Sequence, residues 1–376
     1  MILRLWFLFE SGLPVFVFEG LSMLVVLVTA FMACFPNQPM RSKVDAQQDV
    51  VIAVGAVGAA EFGDQFQKWA ERWEAAASGA GCGHVLLGLK PAGDDTDLER
   101  LKAELTRVAA FETSEPLWLV LIGHGTFDGR VARFNLNGAD ISAGELNEVL
   151  QPAKRPVVIV NCSSCSAPFI NRLSGPGRIV ITATKDGNEM QFSRFGDAMS
   201  EAIGDLAADL DRDGQTSLLE AWLFAVNRTK QWYESEGRLA TEHSLLDDSG
   251  DGKGTRAEVF EGTRVKDTVK EKAALDGQLA RKIHLVRSED ERKLTPDQRV
   301  QRDSLELQLE QLRARRGDFE TEQKYLEALE TALLPLAMLY RGVDDMTPSQ
   351  TDDGRPVGPS SGVDPDSFIK PKATRK

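Results

Sequence analysis

The chain has 376 residues, 42% hydrophobic and 27% charged, which is enough apolar sequence to bury a sizeable core and excludes a wholly disordered protein. Its formal net charge of −13 argues against nucleic acid as a partner, since phosphates need a basic face, and is compatible with cation binding or plain solubility. Cys34, Cys82, Cys162 and Cys165 are too few for a disulfide scaffold in so long a chain, and none has a zinc-type spacing with histidine.

From Leu21 to Met40 there is no charged residue, and the stretch Leu24–Ala33 is strongly apolar, so an export signal or membrane anchor is expected. Such a segment implies an exported (periplasmic or extracellular) or membrane-anchored protein. The residues before it carry Arg4 but also Glu10 and Glu19, which makes Met23 a candidate start, and Pro36–Gln48 reads as a polar linker. Val50–Gly55 is a buried strand by composition. In Ala60–Ser78, Phe62, Phe66, Trp69 and Trp73 fall on one face of a predicted helix. His84–Leu89 is a second strand, and Asp94–Phe111 a second helix with Leu98, Leu101, Leu105 and Val108 along its apolar face.

Two continuous apolar runs follow, Leu117–Ile122 and Val157–Val160, separated by a predicted helix over Ser142–Leu150. Runs of this kind read as neighbouring parallel strands buried on both faces. The first ends in Gly123-His124-Gly125, the second in Asn161-Cys162-Ser163-Ser164-Cys165-Ser166-Ala167. Residues just past the carboxyl ends of parallel strands converge in the crevice where open α/β sheets place their sites. Between them, Arg130–Asp140 suggests a short hairpin. A further strand, Arg178–Thr184, and a helix near Phe195–Leu206 complete the alternation of strands and helices, which indicates right-handed parallel crossovers.

A strand ending in His-Gly and a later strand ending in a Cys-bearing loop resemble the caspase–legumain clan of cysteine peptidases, loosely over Val50–Gln231. The resemblance implies a three-layer αβα fold with a mostly parallel sheet and hydrolysis of a peptide or protein substrate. In these terms His124 is the acid and base, Cys165 or Cys162 the nucleophile, and the Gly125 N–H an oxyanion donor. It also implies a primary specificity pocket near the strand Arg178–Thr184, where Asp186 and Glu189 would favour a basic side chain. The family pattern Ala-Cys-x-Ser-Gly, slid along this loop, puts Ser163 or Ser164 in the cysteine slot, and Ala167 stands where a glycine is expected. The competing expectation is therefore an inactive caspase-like module used for binding or assembly. Cys162-x-x-Cys165 also has a redox spacing, without the aromatic-Cys-Gly-Pro context of thioredoxins.

Asp209–Glu220 follows the EF-hand calcium loop position by position, with Asp209, Asp211, Asp213, Gln215 (through its carbonyl), Ser217 and Glu220 as ligands and Gly214 at the sharp turn. A weaker copy, Asp247–Glu258, offers Asp247, Ser249, Asp251, Lys253 (carbonyl), Thr255 and Glu258. Neither carries the usual Ile or Val that pairs two loops, so a structural calcium is expected and no organic cofactor. Leu305, Leu309 and Leu312, then Leu326, Leu329 and Leu333, read as an antiparallel helical hairpin that packs on itself, on the main domain or on a partner. The expected organisation is 1–48 leader and linker, 49–235 α/β domain, 236–262 second loop, 263–343 helical region and 344–376 disordered tail.

Overall fold

The structure is a computed structural model and describes residues 47–90, 95–266 and 276–344. The apolar stretch Leu24–Ala33, Cys34 and the expected tail beyond Asp344 lie outside the described residues. Among the described residues, no helix is long and apolar enough to cross a membrane.

The first strand, β1 (Asp49–Val54), is followed by α1 (Ala60–Gly79), β2 (Gly83–Leu87), α2 (Asp97–Ala109) and β3 (Leu117–Ile122). The expected hairpin after His124 is a three-stranded antiparallel sheet of β4 (Gly125–Phe127), β5 (Ala132–Phe134) and β6 (Ile141–Ser142). Its turn falls at Asp128, whose carboxylate accepts from the Arg130 and Val131 N–H groups, earlier than Asn137-Gly138 suggests. Then come α3 (Ala143–Leu150), β7 (Val157–Asn161), α4 (Ile170–Leu173), β8 (Arg178–Thr182), α5 (Phe195–Ala202) and α6 (Leu218–Ser235). Two short strands, β9 (Leu245–Asp247) and β10 (Thr255–Arg256), precede α7 (Glu289–Lys293), α8 (Pro296–Ala314) and α9 (Glu322–Asp344).

The main sheet has seven strands in the order β10-β9-β8-β7-β3-β1-β2. From β2 to β8 all pairings are parallel; β9 and β10 add antiparallel at one edge. One apolar layer joins Val50, Ile52, Val158 and Val160 to Phe66, Trp69 and Trp73 of α1, to α5 and to α6. The other joins Val51, Leu119 and Ile159 to α2, α3 and α4. Strand residues therefore alternate between two covered faces, as the continuous apolar runs require.

The helical hairpin is present: α8 packs on α9 through a turn at Arg316–Asp318. The segment leading into it is tied to the amino edge of the sheet by buried charges. Glu115 accepts from Arg287 at 2.6 Å and Arg299 at 2.5 Å, and Glu291 faces Arg302 at 2.6 Å. At the same edge the Arg155 side chain is fully buried, paired with Asp49 at 2.6 Å and donating to the carbonyls of Gln47, Val108, Glu115 and Pro116. On the far side of the hairpin, Leu326, Leu334 and Met338 of α9 stay exposed.

Candidate functional site

His124 leaves the end of β3 at the carboxyl edge of the sheet, opposite the Arg155 cluster. Its ring stands edge-on to Phe62 and Phe66 of α1, with centroids 5.1 and 5.3 Å away, and Phe192 lies at 6.2 Å. These aromatics do more than fill the core, since they fix the imidazole plane. Nε2 lies 3.3 Å from the Val57 carbonyl, which can only accept, so the proton is assigned to Nε2. No thiol or hydroxyl of the Cys loop bonds to this ring among the described residues.

Gly125 meets the Cys loop directly. Its N–H donates to Ser164 Oγ at 3.2 Å, and the Ser164 hydroxyl returns a bond to the Gly125 carbonyl at 3.2 Å. A Cβ at Gly125 would come within 2.4 Å of the Ser164 carbonyl and 2.7 Å of Ser163 Oγ, so only glycine fits. The two strand ends are thus brought together as the sequence implied, but through serines.

Cys162 points away from this edge. Its N–H continues the sheet by donating to the Leu121 carbonyl, and its side chain lies in the same apolar layer as Val158, Val160 and Trp69. Burial, and then the charge of Glu242, push its thiol far up. Cys165 is 2% exposed and sits at φ 53°, a left-handed conformation uncommon outside glycine. Burial and then Asp186 raise its thiol as well, with a backbone hydrogen bond from Phe127 acting in the opposite direction. Ser163 is fully buried, and both its N–H and its hydroxyl donate to Asn161 Oδ1, at 3.0 and 2.6 Å. Asn161, not singled out in the sequence, is the residue that orders the slot. Ser166 and Thr184 then staple the loop to the end of β8 at 3.1 Å.

Asp186 caps its own turn by accepting from the Asn188 N–H. The Glu189 carboxylate is held by the Lys185 and His243 N–H groups, by His243 Nδ1 at 2.5 Å and by the Lys185 ammonium at 3.4 Å. Its charge is therefore largely matched within the protein. The His243–Glu189 pair joins residues far apart in sequence, and no motif marks it.

In the Asp209–Glu220 loop, Asp209 accepts from the N–H groups of Arg212, Asp213 and Gly214, and the chain turns through left-handed Arg212 (φ 62°) and Gly214 (φ 90°). Carboxylate oxygens of Asp209, Asp211 and Asp213 lie within 4.8 Å of one another. Burial, then Glu220, Asp213 and Asp209, push Asp211 up to about 6. Glu220 caps α6 with Ser217 and accepts from Leu210 and Asp211 N–H. The oxygen-only donor set fits a hard divalent cation such as calcium. The preceding helix is shorter than expected, ending at Ala202 with a 3-10 turn at Leu206–Ala208.

The second loop is built differently. Asp247 ends β9 and Thr255 begins β10, so the stretch closes a β-hairpin. Asp247 accepts from Gly250 and Gly252 N–H, Asp276 holds Asp248 and Ser249 N–H and the Thr255 hydroxyl, and Glu258 is exposed on a 3-10 turn.

The mostly parallel sheet between two helical layers, with His-Gly and the Cys-bearing loop at one edge, makes a three-layer αβα fold. No known protein family and no curated protein matches the sequence. Among solved structures, the chain is similar to the Drosophila initiator caspase Dronc at 15% identity and a TM-score of 0.38, over 58% of this chain and 85% of that one. It is also similar to caspase-1 from Spodoptera frugiperda at 10% identity and a TM-score of 0.34, over 54% of this chain and 90% of that one. A third similarity, to Chaetomium thermophilum Raptor, has 10% identity and a TM-score of 0.30, over 43% of this chain and 18% of that one.

Proposed function

We propose that this chain is a caspase-like module that engages a peptide or protein segment at its site edge without hydrolysing it. The nucleophile slot carries the reading. Ser163 is buried with its hydroxyl committed to Asn161, and the N–H of Gly125, the expected oxyanion donor, is occupied by Ser164. An oxyanion hole stabilises developing charge only if its donors are free to aim at the reacting oxygen. Neither Cys162 nor Cys165 has a lowered pKa, the usual mark of a nucleophilic thiol.

A second reading, a His124–Cys165 peptidase, is favoured by the left-handed backbone of Cys165, because strain of this kind clusters at functional sites. One experiment separates the two. Incubation with thiol-directed peptide inhibitors of varied sequence should leave the folded protein unlabelled at Cys165, and peptide substrates uncut. Labelling that Cys165→Ala abolishes, together with turnover lost in His124→Ala, would establish the peptidase. Asp186 and Glu189 would confer basic specificity only in that case, and preferential binding of Arg- or Lys-bearing peptides would support it.

Calcium at Asp209, Asp211, Asp213, Gln215, Ser217 and Glu220 belongs to the same proposal, as a stabilising ion; export or anchoring through Leu24–Ala33 would place it where free calcium is abundant. Binding only the folded chain, calcium should raise the melting temperature with the logarithm of its concentration above the dissociation constant. Glu220→Gln should remove most of that gain relative to the same variant in chelator, and Glu258→Gln much less. Superimposable melting curves of the wild type in calcium and chelator would remove the ion from the proposal.

A further inference from the structure

Between α6, the 238–244 loop and the Ala257–Val259 turn lies an open cavity of about 560 Å³, walled by Phe195, Phe224, Val226, Ala257 and Phe260. It shares no residue with His124, Gly125 or the Cys loop, so a ligand bound here would occupy a place distinct from that edge. A cavity of this size with an apolar wall and a few polar groups has the make-up of a small-molecule site.

Two polar groups in the lining lack protein partners among the described residues. Thr229 is 8% exposed, and its hydroxyl has no hydrogen bond, although a helical threonine can ordinarily bond back to the preceding turn. His243 also lines the cavity. Its Nδ1 is given to Glu189 at 2.5 Å, a carboxylate that can only accept, so the Nδ1 proton is fixed there and, in the neutral ring, Nε2 has a lone pair to offer. A buried hydroxyl without a partner is costly, and a neutral imidazole in the same lining is a ready acceptor.

Charge narrows the ligand further. Lys230 and Arg256 line the cavity, and so do Glu242 and Glu258, two cations against two anions. Glu242 is already saturated, accepting from Ser193 Oγ, Tyr233 OH and the N–H groups of Arg194 and Phe195. The lining thus offers no net field to draw a carboxylate or an ammonium. From these observations we infer that the cavity is a binding site for a small neutral amphiphile, an aryl or short alkyl body carrying one hydroxyl. The hydroxyl donates to His243 Nε2 and pairs with Thr229, while the body lies on Phe195, Phe224 and Phe260.

The test uses three probes of matched size, 4-propylphenol, propylbenzene and 4-propylbenzoate, titrated into the full chain by calorimetry and by thermal shift. The phenol should bind about tenfold more tightly than the hydrocarbon, and the benzoate most weakly. Thr229→Val, nearly isosteric, should bring the phenol down to the affinity of propylbenzene. His243→Asn, which keeps a donor toward Glu189 but removes Nε2, should do the same. Ala257→Trp should fill the space and abolish binding of all three. Equal affinity for phenol and propylbenzene, tighter binding of the benzoate, no binding of any probe, or a phenol affinity unchanged in Thr229→Val would each overturn the inference.

Discussion

Replacing Arg155 with leucine should destabilise the fold by about 3–5 kcal/mol, the range found when one partner of a buried ion pair is removed. The guanidinium is fully buried, and it reaches the starts of β1 and β3 and the end of α2 at once. Leucine leaves the Asp49 carboxylate without its cation and four backbone carbonyls short of a donor. Urea unfolding should show a lower midpoint with an unchanged slope. A loss below about 1 kcal/mol would mean that water takes over these contacts and that the cluster is not a keystone of the sheet. Arg155→Leu combined with Asp49→Leu should recover part of the loss, since no buried charge then stands alone.

Acid should expose a second dependence, through His284. The residue is 6% exposed; burial first, then the Arg302 and Arg287 guanidiniums, push its pKa down to about 3. In the unfolded chain a histidine titrates near 6.5. Between these values the unfolded state binds a proton that the folded state refuses, so stability falls as pH drops from about 6.5 to about 3. The loss grows by about 1.4 kcal/mol per pH unit and is small at neutral pH, where most of the imidazole is uncharged in both states. Glu242 and Glu291, both raised by burial, slope the opposite way as pH rises through their range, so the wild-type curve is a net result. The difference between wild type and His284→Gln isolates the histidine. The variant should gain stability over wild type by roughly 3–4 kcal/mol on going from pH 7 to pH 3.5; parallel curves would show that the imidazole is protonated without unfolding.

The sheet was legible because its strands are unbroken apolar runs, and the register confirms it: Leu119 pairs with Ile159 and Val51 with Leu119. The convergence of Gly125 on the Cys loop followed from strand polarity alone. What the chain did not disclose was which way each loop residue turns, yet for Cys162 a signal was present. Strand side chains alternate, and Val158, Val160 and Cys162 fall on one face, so the cysteine continues the covered layer instead of entering the crevice. Ser163 and Asn161 share the other sense, and their mutual bond depends on a tight local turn that no periodicity encodes. Strands of two or three residues, such as β9 and β10, fall below the length at which alternation can be read. Their pairing turns the second calcium-like stretch into a hairpin whose acidic residues hold backbone amides. His243 and Glu189 meet only because β9 lies beside β8.

The edge made by β10 also bears on assembly. An open sheet invites another copy to add strands along its unpaired backbone, and long flat edges are where chains fuse or aggregate. Here the outermost strand is only Thr255–Arg256, carries an exposed arginine, and gives way at once to the Ala257–Val259 turn. Two residues offer too little backbone to template a continuous double sheet across two molecules. Copies of this chain that associate along the β10 edge must therefore do so through side chains.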